Sequence, residues 1–107
     1  MERPGLTRMT KVEVVIPGAD AGTVHRLFRD VGATGYTSVS GVSGLGHHGA
    51  HQGRLLFNQQ DTLQMLITVL PDERVDALLA GLRPLLDASS GVMFVSDTYV
   101  SRPDYFT

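Results

Sequence analysis

Leu63-Gln64-Met65-Leu66-Ile67-Thr68-Val69-Leu70, followed at once by Pro71-Asp72-Glu73, is the stretch on which the fold class turns. Six of its eight residues are apolar, and a strand this apolar belongs at the centre of a sheet, covered on both faces. Pro71 ends it and opens a helix. Asp72, Glu73 and Asp76 make an acidic first turn that complements the helix dipole. Val75, Leu78, Leu79 and Leu82 then recur on one face. Pro84 removes a backbone donor, so the regular part of this helix is expected to end or kink near Leu82.

The elements on either side follow the same logic. Lys11-Val12-Glu13-Val14-Val15-Ile16 is β-branched and stops at Pro17-Gly18, which predicts a first strand. Asp20 is placed as an N-cap for a helix whose apolar residues Val24, Leu27, Phe28 and Val31 repeat at helical spacing, and Gly32 stops it. Tyr36-Thr37-Ser38-Val39-Ser40-Gly41-Val42 alternates like a second strand. A loop rich in glycine and histidine follows, from about Ser43 to Arg54, and Leu55-Leu56-Phe57 opens towards the third strand. Beyond the second helix, Ser89-Ser90-Gly91 leads into a fourth strand from Val92 to about Val100. Pro103 is expected to keep the tail, Ser101 to Thr107, out of regular structure.

The order is βαββαβ. Two right-handed βαβ crossovers that interleave give an α+β, ferredoxin-like architecture: a four-stranded antiparallel sheet with two helices on one face. The chain is read as one domain from residue 10 to 107, preceded by a flexible lead-in over residues 1–9. Apolar residues on both faces of the third and fourth strands require a cover for the second face, and self-association is the simplest one.

Composition removes several classes of function. The 107 residues carry nine Lys and Arg against eleven Asp and Glu, a net charge of −2. Such a balance, with no basic run, makes no case for nucleic acid. Absence of cysteine excludes disulfides and thiolate metal sites and suits a reducing cytoplasm. No segment approaches the roughly 20 apolar residues that span a bilayer, and the first nine residues have no apolar core of the kind a signal peptide needs.

The chemistry-bearing stretch is Gly44-Leu45-Gly46-His47-His48-Gly49-Ala50-His51-Gln52-Gly53. Gly44 to Gly49 satisfies G-x-G-x-x-G, but no helix follows, so the dinucleotide reading fails. A glycine-rich anion cradle survives, because it needs only backbone N–H groups beside a strand; the plainer alternative is a mobile loop without a ligand. His47, His48 and His51 are a possible zinc, copper or nickel set that lacks a fourth ligand unless Asp61 or a neighbouring subunit supplies it. Solvent-exposed polar loop residues are the reading that this ligand count favours. His25 is placed on the polar side of the first helix, at the surface. Ser89-Ser90-Gly91 has no partnered histidine and no carboxylates are suitably paired, so no catalytic residue is assigned and no enzyme is expected.

Four segments together resemble the PII signal-transduction superfamily across Lys11 to about Arg102. They are Val31-Gly32-Ala33-Thr34-Gly35-Tyr36-Thr37, Gly44-Leu45-Gly46-His47-His48-Gly49, Val69-Leu70-Pro71-Asp72-Glu73-Arg74-Val75-Asp76 and Ser90-Gly91-Val92-Met93-Phe94-Val95. The resemblance implies a homotrimer whose sheets meet at the centre, with adenine nucleotide bound between subunits. Gly35, Tyr36 and Thr37 would approach the nucleotide from one subunit, and Gly44, Gly46, His47, His48, Ser90, Gly91 and Phe94 from the next. Arg102 is what remains of the family's basic C-terminal loop.

Departures from the family pattern refine these expectations. His47 stands where the family has a phosphate-binding arginine, Val92 where it has a lysine and Ile67 where it has a glutamate, and the 44–54 loop is short and lacks the modifiable tyrosine. Fewer cations favour ADP or AMP over ATP, and 2-oxoglutarate with magnesium is not expected to be sensed. The chain is most similar to the short-loop, PII-like branch associated with carboxysomes and bicarbonate transport. That likeness implies a cytoplasmic sensor of adenine nucleotide and bicarbonate that acts on a transporter or carboxysome-related partner and needs no cofactor. A second branch, linked to metal homeostasis, keeps His47, His48 and His51 as the alternative metal site.

Overall fold

A computed structural model of the chain describes residues 3–43, 45–46, 49–50 and 62–107. Strand β1 (Thr7–Pro17) is followed by a 3₁₀ turn and helix α1 (Ala21–Asp30). Next come β2 (Tyr36–Val42), two short strands, β3 (Leu45–Gly46) and β4 (Gly49–Ala50), and then β5 (Leu63–Leu70). Helix α2 (Val75–Asp87), β6 (Val92–Val100) and a final 3₁₀ turn over Pro103–Phe106 complete the chain. The main sheet runs β2-β5-β1-β6 with every neighbouring pair antiparallel. This is the ferredoxin-like arrangement, and the apolar strand β5 lies inside the sheet.

Alternation decides which side each residue faces. Val12, Val14 and Ile16 of β1 and Leu66 and Leu70 of β5 join Val24 and Phe28 of α1 and Val75, Leu78 and Leu82 of α2 in one core. Both helices therefore cover the same face. Gly32 adopts φ +80°, the left-handed conformation that ends α1, with its N–H donating to the Arg29 carbonyl and the Ala33 N–H donating to that of Phe28. Gly41, at φ +74°, sits in a bulge between Ser40 and Val42.

Four details differ from the pattern-based expectation. Thr7, Arg8 and Met9, assigned to a flexible lead-in, belong to β1. They pair with Val100, Tyr99 and Thr98 of β6, and Met9 is buried. Asp20 occupies the N-cap position without a side-chain capping bond, because the 3₁₀ turn Gly18–Asp20 already feeds the helix. Helix α2 continues through Pro84. Leu85 and Leu86 beyond the proline pack on the core, and burying them, at about 1.5–3 kcal/mol for each full side chain, offsets the roughly 3 kcal/mol cost of an internal proline. The segment read as a loop after Ser43 contains a ladder, with Leu45 opposite Ala50 and Gly46 opposite Gly49. Gly44, His47, His48, His51 and the run Leu55-Leu56-Phe57 lie outside the described residues.

Candidate functional site

The uncovered face of the sheet is best read in rows across its four strands. One row, Val39–Met65–Val15–Val92, is apolar from edge to edge. The adjacent row is Thr37–Ile67–Glu13–Phe94. Val39, Val92 and Phe94 are large apolar side chains left exposed, Phe94 at 56%. Glu13 and, one row further along β1, Lys11 are the charges that β1 places on this face, with Lys11 Nζ 3.7 Å from Glu13 Oε1.

The tail covers one end of this face. Pro103 does not leave it irregular; as the first residue of a 3₁₀ turn its fixed φ and missing N–H are an advantage. The Tyr105 N–H donates to the Arg102 carbonyl at 3.0 Å. The Thr34 hydroxyl donates to the Tyr105 carbonyl at 2.7 Å. Arg74 donates to the carbonyls of Gly32 at 2.6 Å and Thr107 at 3.5 Å, tying the end of α1 to the end of the tail. Met9 and Val69 face the uncovered side yet are only 4% and 8% exposed. Pro103 and Thr107 lie beside Met9, and Tyr105 and Phe106 beside Val69.

Between the tail and the start of β2 lies a cleft of about 480 Å³, within the usual size range of small-molecule pockets. Thr34, Gly35, Tyr36 and Thr37 line one side, Ile67 and Val69 the next, and Tyr105 and Phe106 the third. Glycine at position 35 is what lets the tail approach, since a Cβ there would lie 3.3 Å from the Phe106 ring. The Tyr36 ring leans the other way, 4.7 Å from the His25 ring and 6.0 Å from that of Phe28, centroid to centroid. His25 is therefore not a surface residue as expected. It is half-buried against Tyr36, and its Nε2 is buried without a partner among the described residues. The Thr68 hydroxyl fixes the Gly35 carbonyl at 2.7 Å.

Apart from Gly46, which lies in the β3–β4 ladder, the sequence-assigned residues that the structure describes fall into two groups within one chain. Gly35, Tyr36 and Thr37 share the cleft. Arg102 joins them through Tyr105, whose hydroxyl accepts from the guanidinium at 2.9 Å. Arg102 is held by a phenol rather than a carboxylate, so it brings positive charge to this corner. Ser90 and Gly91 form the α2–β6 turn, where the Gly91 N–H donates to the Ser89 hydroxyl at 3.0 Å, and Phe94 follows on β6. Thr37 and Phe94 stand in the same row at opposite edges, three strand spacings or about 14 Å apart. One chain does not bring these groups together.

Sequence reasoning missed Thr34, Arg74, Tyr105 and Phe106. The one local signal was proline placed to start a turn that ends in two aromatic residues. Among the described residues no three His, Cys, Asp or Glu side chains converge on a metal-sized site, and no helix is long and apolar enough to cross a membrane.

In a separate depression shared with Met9, Pro103 and Thr107, Arg8 bridges Asp72 and Asp97, the latter at 2.9 Å, while the Thr10 hydroxyl donates to Asp72 at 2.6 Å. The Thr10 hydroxyl first, and the Arg8 guanidinium with it, hold the Asp72 carboxyl below its ordinary 3.8. A lowered carboxyl pKa adds stability above the unfolded-state value, and that stability disappears as pH falls through the folded-state value. Asp72→Asn should accordingly be less stable than the parent at pH 7, with the difference closing below about pH 4. Urea titrations of both proteins across that range check it.

The chain belongs to the P-II family: the family model described as nitrogen regulatory protein P-II matches residues 9–105. Its likeness to solved structures is more particular. CPII, a nitrogen regulatory PII-like protein from Thiomonas intermedia K12 bound to ADP, AMP and bicarbonate, is 42% identical. That match has a TM-score of 0.87 and covers 94% of this chain and 95% of that one. The structure of CPII with ADP and bicarbonate matches at 39% identity and TM-score 0.84, covering 95% and 97% of the two chains. A PII-like signaling protein from Thermus thermophilus shares the fold at 18% identity and TM-score 0.78, covering 95% and 98%. No curated protein matches the chain.

Proposed function

We propose that this protein is a trimeric, non-enzymatic PII-like sensor that binds ADP or AMP between subunits, with bicarbonate beside the nucleotide. The observation that carries the reading is the 42% identity, over nearly the whole chain, to a CPII structure holding ADP, AMP and bicarbonate. The split of the assigned residues supports it. Gly35–Thr37 with Arg102, and Ser90–Gly91 with Phe94, become one site only where the β2 edge of one subunit meets the β6 edge of another. The exposed apolar row on the uncovered face supplies the contact that would hold such subunits together.

Chemistry sets the ligand preference. Few cations accompany the nucleotide residues, so a mono- or diphosphate is neutralised better than a triphosphate. Bicarbonate is a small planar anion, suited to backbone N–H groups in the Gly44–Gly49 segment with a histidine or arginine beside them. Ligand that prefers one arrangement of residues 44–54 shifts the population towards it, changing the surface offered to a cytoplasmic face of a bicarbonate transporter or a carboxysome-related partner.

Sedimentation equilibrium and thermal denaturation test the reading together. The expected results are a particle of three 11.6 kDa chains and a melting temperature raised by ADP and AMP. Ligand at about a hundred times its dissociation constant adds about 2.7 kcal/mol. A monomer whose melting temperature no adenine nucleotide moves would overturn it.

A further inference from the structure

We propose that Tyr105 and Phe106 form an aromatic wall on which the purine base stacks, making the Pro103–Phe106 turn a recognition element as well as a cover for the sheet. The inference rests on the nucleotide reading above and names its base-binding side. The cleft bounded by β2 and the tail is open, and Ile67 and Val69 give it an apolar lining. Tyr36, the aromatic residue that sequence assigned to the ligand, leans its ring on His25 and Phe28 on the helix side. The remaining aromatic residues that line the cleft, Tyr105 and Phe106, come from the tail.

The wall is held rather than loose. Phe106 rests against Gly35, where no Cβ intervenes. The Thr34 hydroxyl holds the Tyr105 carbonyl, and Arg102 holds the Tyr105 hydroxyl with its guanidinium 5.5 Å from the ring centroid. Even so, Tyr105 is 57% exposed. A fixed and largely exposed ring beside an apolar cleft is a surface suited to a planar, π-rich partner. Among the described residues strand β2 pairs with β5 alone, so within them its outer edge offers N–H and C=O groups, which match the alternating donors and acceptors of a purine edge. Stacking and edge pairing call for a flat heteroaromatic base, and Arg102 beside Tyr105 adds a cation for the charged part of the same ligand.

A turn that merely covers Met9 and Val69 needs apolar volume, not aromatic faces, and leucine separates the two roles. Calorimetric titration of AMP into the parent protein, Tyr105→Leu, Phe106→Leu and Tyr105→Phe, with melting temperatures measured alongside, is the test. Both leucine variants should bind AMP about five- to a hundred-fold more weakly, while Tyr105→Phe stays within a few-fold of the parent. Leucine variants that bind AMP like the parent would overturn the wall and leave the nucleotide reading standing. A parent that binds no adenine nucleotide would overturn both. Should a leucine variant fail to fold, proton NMR of the parent decides: AMP should shift the Tyr105 and Phe106 ring resonances, and unmoved resonances would refute the proposal.

Discussion

Phe28→Ala should lower the unfolding free energy by about 3–5 kcal/mol, a large part of the roughly 5–15 kcal/mol typical of a domain. Phe28 is 1% exposed and sits where α1 meets the sheet, among Val12, Val14, Val24 and Leu66. Its ring also meets that of Tyr36 at 6.0 Å, so truncation removes both apolar contact and the support behind the first strand residue of the cleft. The cavity cannot close easily, because α1 is pinned at its far end by the Gly32 turn and the Arg74 bond to the Gly32 carbonyl. Urea denaturation of the variant and the parent, with equal m-values as the check on two-state behaviour, gives the difference directly. A loss below about 1 kcal/mol would mean that α1 repacks and that the core is looser than described.

Val15→Glu should leave the subunit folded and prevent assembly. Val15 stands at the middle of the Val39–Met65–Val15–Val92 row, on the uncovered face and away from the helix-side core. In an isolated subunit the new carboxylate reaches water. In the proposed trimer it is desolvated in each copy without a partner, at a cost of several kcal/mol per ion. The dissociation constant of the assembly should rise more than about a hundred-fold. Sedimentation velocity should show the parent as a trimer and the variant as a folded monomer with unchanged circular dichroism. A variant that remains trimeric would move the interface to another surface.

The strand and helix identities were legible because each rests on local chemistry. The β-branched run at Lys11–Ile16, the apolar run at Leu63–Leu70 and the helical spacing of Val24, Leu27 and Phe28 need no tertiary information. The β2, β5 and β6 bounds follow from the same local signals. What escaped the sequence depends on partners distant in the chain. Thr7–Met9 became strand only because β6 extends to Val100 and gives them an edge to pair with. Pro84 stayed inside α2 because Leu85 and Leu86 find the core. The tail became a wall of the cleft through Thr34 and Arg74, which are remote from it in sequence. His25 was misplaced for a similar reason: helical periodicity puts it on the polar side, but β2 delivers the Tyr36 ring to it.

Residue type nominated the candidate residues, while their arrangement depends on contacts that the sequence does not state. Gly35, Tyr36, Thr37 and Arg102 do share one corner, yet Tyr36 presents its ring to α1. Ser90, Gly91 and Phe94 sit at the opposite sheet edge. No pattern in one chain states whether two edges of different copies meet, as the proposed function requires. Gly91 has a packing reason of its own, since a Cβ there would lie 2.8 Å from a Leu86 methyl and 3.1 Å from the Val15 carbonyl oxygen. Its presence in the turn therefore does not by itself argue for a ligand.

Calorimetric titration of AMP into the assembled protein, with and without bicarbonate, decides whether this protein is a coupled sensor of nucleotide and bicarbonate. The expected result is binding of AMP that bicarbonate tightens, a coupling that must be reciprocal at equilibrium. AMP binding that bicarbonate leaves unchanged, or no binding in either buffer, would contradict it.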